Sequence, residues 1–246
     1  MIEKLQADLL ALGLRHGGVL MVHSSLRALG QVPGGAETVI QGLLSILDDG
    51  TLLMPALSYE HVTRENPIFD VRNTPSNVGI IPETFRQRAG TKRSIHPTHS
   101  VCAVGPLATA LLDSHIEDTT PCGPCSPFHS LPNHNGQILM LGCGLESNTS
   151  MHAIEELAAP PYLYAAPIDY TLISENGTCI TKTYTPHGFD GWVQCFDRLL
   201  DVLPPSGLKR GPVLEAEAWL IESAAMWESA LAALRKDPLF FVSKQM

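Results

Sequence analysis

Val19-Leu20-Met21-Val22-His23-Ser24-Ser25 is a short apolar run ending in polar residues; Pro33-Gly34-Gly35 follows, and then Glu37 to Leu47 at helical period. Apolar positions recurring every three or four residues form one face of a helix, whereas a short apolar run bounded by turn residues reads as a buried strand. This segment is therefore strand, loop, helix. Asp49-Gly50 turns the chain into Thr51-Leu52-Leu53-Met54-Pro55, a second buried strand. Buried strands alternating with helices imply an α/β fold in which helices pack on the sheet.

The same alternation extends outward. Upstream, Leu5, Leu9, Leu10 and Leu12 mark an amphipathic helix that ends near Gly13. Downstream, Ser58 to Ser76 lacks periodicity, and a structureless stretch of that length in a compact domain is commonly functional, so it is expected to be an active-site loop. Helical pattern returns at Ile80 to Arg88, a strand at Ser100 to Val104, a helix at Pro106 to Leu112, a strand at Gln137 to Leu141 and a helix around Thr149 to Leu157. Ile168 to Ile173 and Cys179 to Tyr184, joined through Asn176-Gly177, predict a hairpin. Helices are expected at about Asp190 to Val202 and Trp219 to Lys236. The expected architecture is one domain over residues 1–246, an α/β fold with a central sheet flanked by helices and an antiparallel hairpin appendage.

Composition narrows the function. Of 246 residues, 44% are hydrophobic and 17% charged, an ordinary globular balance, and no apolar run reaches the roughly 20 residues of a membrane-spanning helix. The first eight residues lack the basic and apolar blocks of a secretory signal, so a cytoplasmic location is expected. Six scattered cysteines then read as reduced thiols rather than a disulfide framework. A net charge of −9 disfavours nucleic acid and anionic membranes as partners and suits a small cationic ligand, although solubility alone explains such a charge equally well.

Five clusters carry chemistry. His23-Ser24-Ser25 at a strand end, with Gly34 and Gly35 before a helix, offers backbone amides and hydroxyls to an anionic group, or is simply a turn. Arg93-Ser94-Ile95-His96-Pro97-Thr98-His99-Ser100 gathers one basic residue, two histidines and three hydroxyls before a strand, as a polar site or as a loop support. His152 and Glu155 stand three apart on a helix and share a face, an arrangement that lets a carboxylate orient an imidazole but also describes a plain surface ion pair. Cys122-Gly123-Pro124-Cys125 has the spacing of a redox tetrapeptide, yet Pro127 and Pro132 suggest a loop; zinc, with His129, His134 and Cys143 nearby, lacks a second tight ligand pair, so no metal is expected. Finally, His187-Gly188-Phe189-Asp190 places a histidine on a loop, with Asp190 as a helix N-cap.

The order of these motifs is more informative than any one of them. Val-His-Ser-Ser-Leu (22–26), Pro-Gly-Gly (33–35), Asp-Gly-Thr-Leu-Leu-Met-Pro (49–55), Asn-Thr-Pro-Ser-Asn-Val-Gly (73–79), Glu-Thr-Phe-Arg (83–86), Arg-Ser-Ile-His-Pro-Thr-His-Ser (93–100), Gly-Pro-Cys-Ser-Pro (123–127), Gly-Gln-Ile-Leu-Met-Leu-Gly (136–142) and Thr-Ser-Met-His-Ala-Ile-Glu (149–155) follow one another. The series resembles the aminoglycoside 3-N-acetyltransferase family. The resemblance implies acetyl-coenzyme A as co-substrate, with the acetyl group passing to the 3-amino group of an aminoglycoside. It implies that His23, Ser24, Ser25, Leu26, Gly34 and Gly35 hold coenzyme A, with Arg93 and Ser94 close by. His152 matches the family's catalytic histidine and Glu155 its carboxylate partner, while Asn73, Ser76, His99, His187 and Asp190 fall on the acceptor side.

The chemistry suits those roles, because an alkylamine must lose a proton before its nitrogen attacks a thioester, and a histidine titrating near neutrality accepts it. Two alternatives stay open: the same acetyl transfer to a different small-molecule amine, and a non-catalytic protein that binds coenzyme A or a cationic ligand. A monomer or a homodimer is expected, with antibiotic resistance as the biological role.

Overall fold

A computed structural model describes residues 1–245 of the chain. In chain order its helices are α1 (Ile2–Leu12), α2 (Gly35–Leu47), α3 (Ile80–Gln87), α4 (Ala108–Leu112), α5 (Pro127–Ser130), α6 (Met151–Ala158) and α7 (Ser223–Lys236). The strands are β1 (Val19–Ser24), β2 (Thr51–Pro55), β3 (Ile68–Asp70), β4 (Lys92–Arg93), β5 (Val101–Val104), β6 (Gln137–Leu141), β7 (Ile168–Ile173), β8 (Cys179–Tyr184), β9 (Trp192–Gln194), β10 (Leu208–Val213), β11 (Ala216–Glu222) and β12 (Val242–Lys244).

Seven strands form the central sheet in the order β10-β11-β6-β1-β2-β5-β4. Its middle is parallel, with β1 flanked by β2 and β6, and the outer pairings are antiparallel. Successive side chains on a strand face opposite ways, and the core divides accordingly. Leu20, Val22, Leu52, Met54, Leu139 and Leu141 pack with residues of α1, α2 and α3. Met21, Leu53, Ile138 and Met140 pack on the other face with residues of α4, α6 and α7. The expected helix-covered sheet is thus a three-layer α/β/α sandwich.

The hairpin expected at Ile168 to Tyr184 is β7 paired with β8, and β3, from the stretch read as loop, adds a parallel third strand. Val62, Phe69, Tyr170, Leu172 and Tyr184 give this small sheet its own apolar cluster.

Two expected helices are not as the periodicity suggested. At Asp190 to Val202 the chain forms β9 and then a 3-10 segment, Phe196–Asp201, because Phe189 and Gly191 adopt left-handed φ values of 50° and 75° and β9 pairs with β12. At Trp219 the chain is still in β11, and the helix begins only at Ser223. Ala216, Ala218 and Leu220 face one helical layer and Ile221 the other, so alternation prevails over helical propensity. The unpredicted β10 carries Gly211 and Pro212, weak strand formers that are tolerated because β10 is an edge. No helix among the described residues is long and apolar enough to cross a membrane.

Candidate active site

Parallel strands present their carboxyl ends to one side of a sheet, and ligands of open α/β folds gather there. A cavity of about 670 Å³ lies at that position. His23 and Ser24 enter it from the end of β1, Pro55 from the end of β2 with Leu57 just beyond it, and Cys143, Glu146 and Ser147 from the loop after β6. Gly142 makes the exit from β6 with φ of 73°, and a Cβ there would press on Ala28 and the Ser25 carbonyl. The wall is completed by Val22, Tyr59, Asn77, Val78, Pro82, His99, Thr149, His152, His187 and Phe189.

His152 lies in the first turn of α6. Its Nδ1 is 2.6 Å from Glu155 Oε2; the carboxylate is wholly buried and the imidazole 14% exposed. Tyr162 donates its hydroxyl to the second oxygen, Oε1, at 2.7 Å. With Nδ1 committed to a carboxylate, the proton of a neutral ring sits on Nδ1 and Nε2 offers a lone pair. Phe189 stacks on the imidazole with ring centroids 5.1 Å apart, and Phe196 meets it edge-on at 5.3 Å, which fixes the ring plane.

Further histidines surround this pair. His187 lies 4.9 Å from His152 between ring centroids, and His99 lies 5.3 Å from His187. Burial lowers the affinity of these rings for a proton: His187 and His99 are held well below the ordinary histidine range, with neighbouring histidines adding repulsion, and His23 falls to about 3. His96 turns away from the cavity, where its Nδ1 accepts the backbone N–H groups of Thr98 and His99. The two readings of the 93–100 cluster therefore divide between residues, with His96 supporting the loop and His99 lining the cavity.

Not every residue predicted for the site reaches the cavity. Arg93 is buried and donates to Ser100 Oγ and to the carbonyls of Val71, Thr74 and Ala56, stacked over Phe69. Ser94 Oγ contacts His115 Nδ1 at 2.9 Å, and both Arg93 and Ser94 line a separate cavity of about 490 Å³. Gly34 and Gly35 open α2 in left-handed backbone, where the Thr38 hydroxyl bonds back to the Pro33 carbonyl. Along with Ser25 and Leu26, they are absent from the cavity wall. Asn73 donates to Asp70, and the Ser76 amide donates to Glu83, so the 73–79 loop reaches the cavity through Asn77 and Val78 instead. Asp190 is exposed and caps no helix. Sequence reasoning missed Asn77, Tyr162 and Phe189 as site residues; Asn77 and Phe189 lie inside stretches already singled out, whereas Tyr162 carried no signal.

Buried polar atoms normally find partners. Among the described residues, His23 Nε2, Ser24 Oγ, Asn77 Nδ2 and His187 Nδ1 have none, and all four residues line this cavity. They are the atoms a polar ligand would satisfy. The cysteines are not activated: burial pushes the thiol of the cavity-lining Cys143 up to about 12 and Cys122 well above its usual range, the opposite of a reactive thiolate. Among the described residues, no three His, Cys, Asp or Glu side chains are grouped to hold a metal ion.

An α/β enzyme whose cleft sits at the strand carboxyl ends, around a histidine–carboxylate pair, is the class that this fold and site define. The profile of the aminoglycoside 3-N-acetyltransferase family matches residues 21–235. Aminoglycoside N(3)-acetyltransferase IV of Salmonella sp is 33% identical over 246 residues, covering 97% of this chain and 89% of the relative. Among solved structures, a His-to-Ala variant of aminoglycoside acetyltransferase AAC(3)-IVa in complex with gentamicin superposes with a TM-score of 0.84 at 32% identity, covering 97% of this chain and 90% of that one. The binary complex of AAC-IIIb with CoASH gives a TM-score of 0.81 at 25% identity, covering 96% of each chain. The chain belongs to the aminoglycoside 3-N-acetyltransferase family and is an acyltransferase of that family.

Proposed function

We propose that this enzyme, a single domain working in the cytoplasm, transfers the acetyl group of acetyl-coenzyme A to the 3-amino group of an aminoglycoside, with His152 as general base. The observation that carries the reading is the 2.6 Å contact of His152 Nδ1 with the buried Glu155, which turns Nε2 toward the cavity. The related structures holding gentamicin and CoASH support the two substrate classes.

In this mechanism His152 Nε2 takes a proton from the acceptor ammonium, and the freed nitrogen forms a bond to the thioester carbonyl carbon. Glu155, held by Tyr162, orients the imidazole and stabilises the imidazolium. Negative charge that develops on the carbonyl oxygen needs a preplaced donor. Ser24, whose hydroxyl is buried without a partner at the cavity wall, supplies it. The C–S bond then breaks, the imidazolium proton passes to the leaving thiolate, and the freed Nε2 takes the remaining surplus proton from the acylated nitrogen and releases it to solvent, which leaves a neutral amide and a thiol. Coenzyme A fits the side of the cavity formed by His23 and Ser24, where unpaired polar atoms await acceptor and donor groups.

A second reading concerns the acceptor alone. Glu146 is the one carboxylate among the described residues lining the cavity, which favours an amine of lower charge than a polycationic antibiotic. One assay tests both: thiol release from acetyl-coenzyme A with gentamicin, kanamycin, apramycin and a simple polyamine, for wild type and His152→Ala. The proposal expects release that depends on acceptor and falls about 10²–10⁴-fold in the variant. An unchanged rate in His152→Ala rejects the base assignment, and turnover of the polyamine alone selects the second reading.

A further inference from the structure

Beside the His152–Glu155 pair stands a second carboxylate–imidazole pair, one residue along the same helix. Glu156 Oε1 lies 2.8 Å from His187 Nε2, and both side chains are almost fully buried, at 6% and 3% exposure. Glu156 is itself gripped by the loop of the Cys-Gly-Pro-Cys motif: the Cys122 amide donates to Oε1 at 2.8 Å and the Thr120 hydroxyl to Oε2 at 2.5 Å. This motif, unused by thiol chemistry, thereby acquires a role.

The geometry decides which nitrogen of His187 bears the proton. Oε1 already accepts the Cys122 N–H, and a carboxyl proton, if present, belongs on Oε2 facing the Thr120 oxygen. Oε1 is an acceptor in either state, so His187 Nε2 must donate to it. Nδ1 is then a bare acceptor. It is buried and has no protein partner, on a ring that lines the cavity beside His152. An orphaned buried acceptor at a ligand cavity costs stability, and a bound ligand recovers it.

We propose that Glu156 is a positioning residue that locks His187 in the Nε2–H tautomer, so that His187 Nδ1 accepts a hydrogen bond from an N–H or O–H of the acceptor substrate held next to His152. The proposal rests on the reading of His152 as the base only in locating the acceptor; the tautomer follows from the protein's own contacts. Burial holds His187 uncharged and raises Glu156 above the ordinary carboxylate range, both consistent with a neutral ring.

Long-range ¹⁵N–¹H correlation spectra of the ¹⁵N-histidine-labelled full chain distinguish the tautomers, with His187→Gln identifying the signal. Wild type should show Nε2 protonated and Nδ1 bare, and gentamicin should shift the Nδ1 resonance. Glu156→Gln keeps a carbonyl oxygen toward Nε2 and Cys122 and should preserve the tautomer. Glu156→Met removes the acceptor and should release it, raising KM for gentamicin about tenfold, the equivalent of one hydrogen bond, with KM for acetyl-coenzyme A unchanged. His187→Gln leaves an amide near Glu156 and removes the Nδ1 acceptor, and it should raise the same KM without Glu156 being touched. A wild-type ring protonated at Nδ1, an Nδ1 signal indifferent to saturating gentamicin, or an unaltered gentamicin KM in both Glu156→Met and His187→Gln overturns the proposal. Failure of the acetyl-transfer reading would show separately, as absent thiol release in wild type.

Discussion

Tyr162 donates its hydroxyl to Glu155 Oε1 at 2.7 Å, on the oxygen that His152 does not use. A fully buried carboxylate thus has both oxygens engaged, one holding the imidazole and one held by the phenol. Removing the phenolic hydroxyl in Tyr162→Phe leaves Oε1 buried without a donor, and the fold should lose roughly 1–3 kcal/mol. Chemical denaturation gives that loss, and kcat should fall with it because the orientation of His152 loosens. An unchanged kcat would show that Glu155 needs no second anchor.

Glu155→Gln tests the same pair from the other side. An amide can present its NH₂ to Nδ1, which moves the ring proton to Nε2 and removes the lone pair that takes the substrate proton. The expected loss in kcat is about 10²–10⁴-fold with gentamicin affinity, measured by calorimetry, retained. Loss of affinity together with rate would instead assign Glu155 to binding.

Ser24→Ala should lower kcat by about 10²-fold, the usual effect of deleting one donor to a developing oxyanion, while KM for acetyl-coenzyme A changes little. A raised KM with unaltered kcat would make the hydroxyl a ground-state contact.

Arg93 was expected near coenzyme A, but its guanidinium ties Ala56, Val71, Thr74 and Ser100 together. Arg93→Met leaves these carbonyls without their charged donor and should cost at least about 3 kcal/mol by urea denaturation. In the folded variant, KM for acetyl-coenzyme A should be unchanged; a large increase would restore the cofactor role.

Acid should destabilise the fold. His23 and His115 have folded values near 3 and 4, and His96, His99 and His187 are also depressed, all chiefly by burial. The unfolded chain binds protons to these rings below about pH 6.5 while the native state does not, so stability falls as pH drops from there toward the folded values, by up to about 1.4 kcal/mol per unit for each ring. Melting temperatures recorded from pH 7.5 to 5 should decline steeply, and His115→Gln should flatten the slope. A flat profile would show that water reaches these rings.

Much of this architecture is legible because its middle strands are short apolar runs and its covering helices have clear period. The His152–Glu155 pair is legible for the same reason, since a separation of three on one helix guarantees proximity. Other relations depend on the folded chain alone. His187 and Glu156 are 31 positions apart, and nothing local announces their contact. Arg93 likewise serves as an internal tie through partners at positions 56, 71, 74 and 100, a role that appears only once the chain is folded. Residues 208–218 receive no assignment because glycine, proline and alanine mute the strand signal, and 219–222 read as helix because the two-residue alternation of β11 runs directly into α7.

The central position of β1 sets an order of assembly. Leu52, one pairing partner of Leu20, is synthesised soon after it, but the other neighbour of Leu20, Gln137, is made more than a hundred positions later. Throughout that interval the emerging chain carries an apolar strand with one side unpaired, the kind of edge on which nascent chains associate. Production of active enzyme in a cell should therefore depend on chaperone capacity and on the pace of translation between β2 and β6, and host strains lacking that capacity should accumulate the protein in inclusion bodies while leaving the chemistry of each folded molecule unaltered.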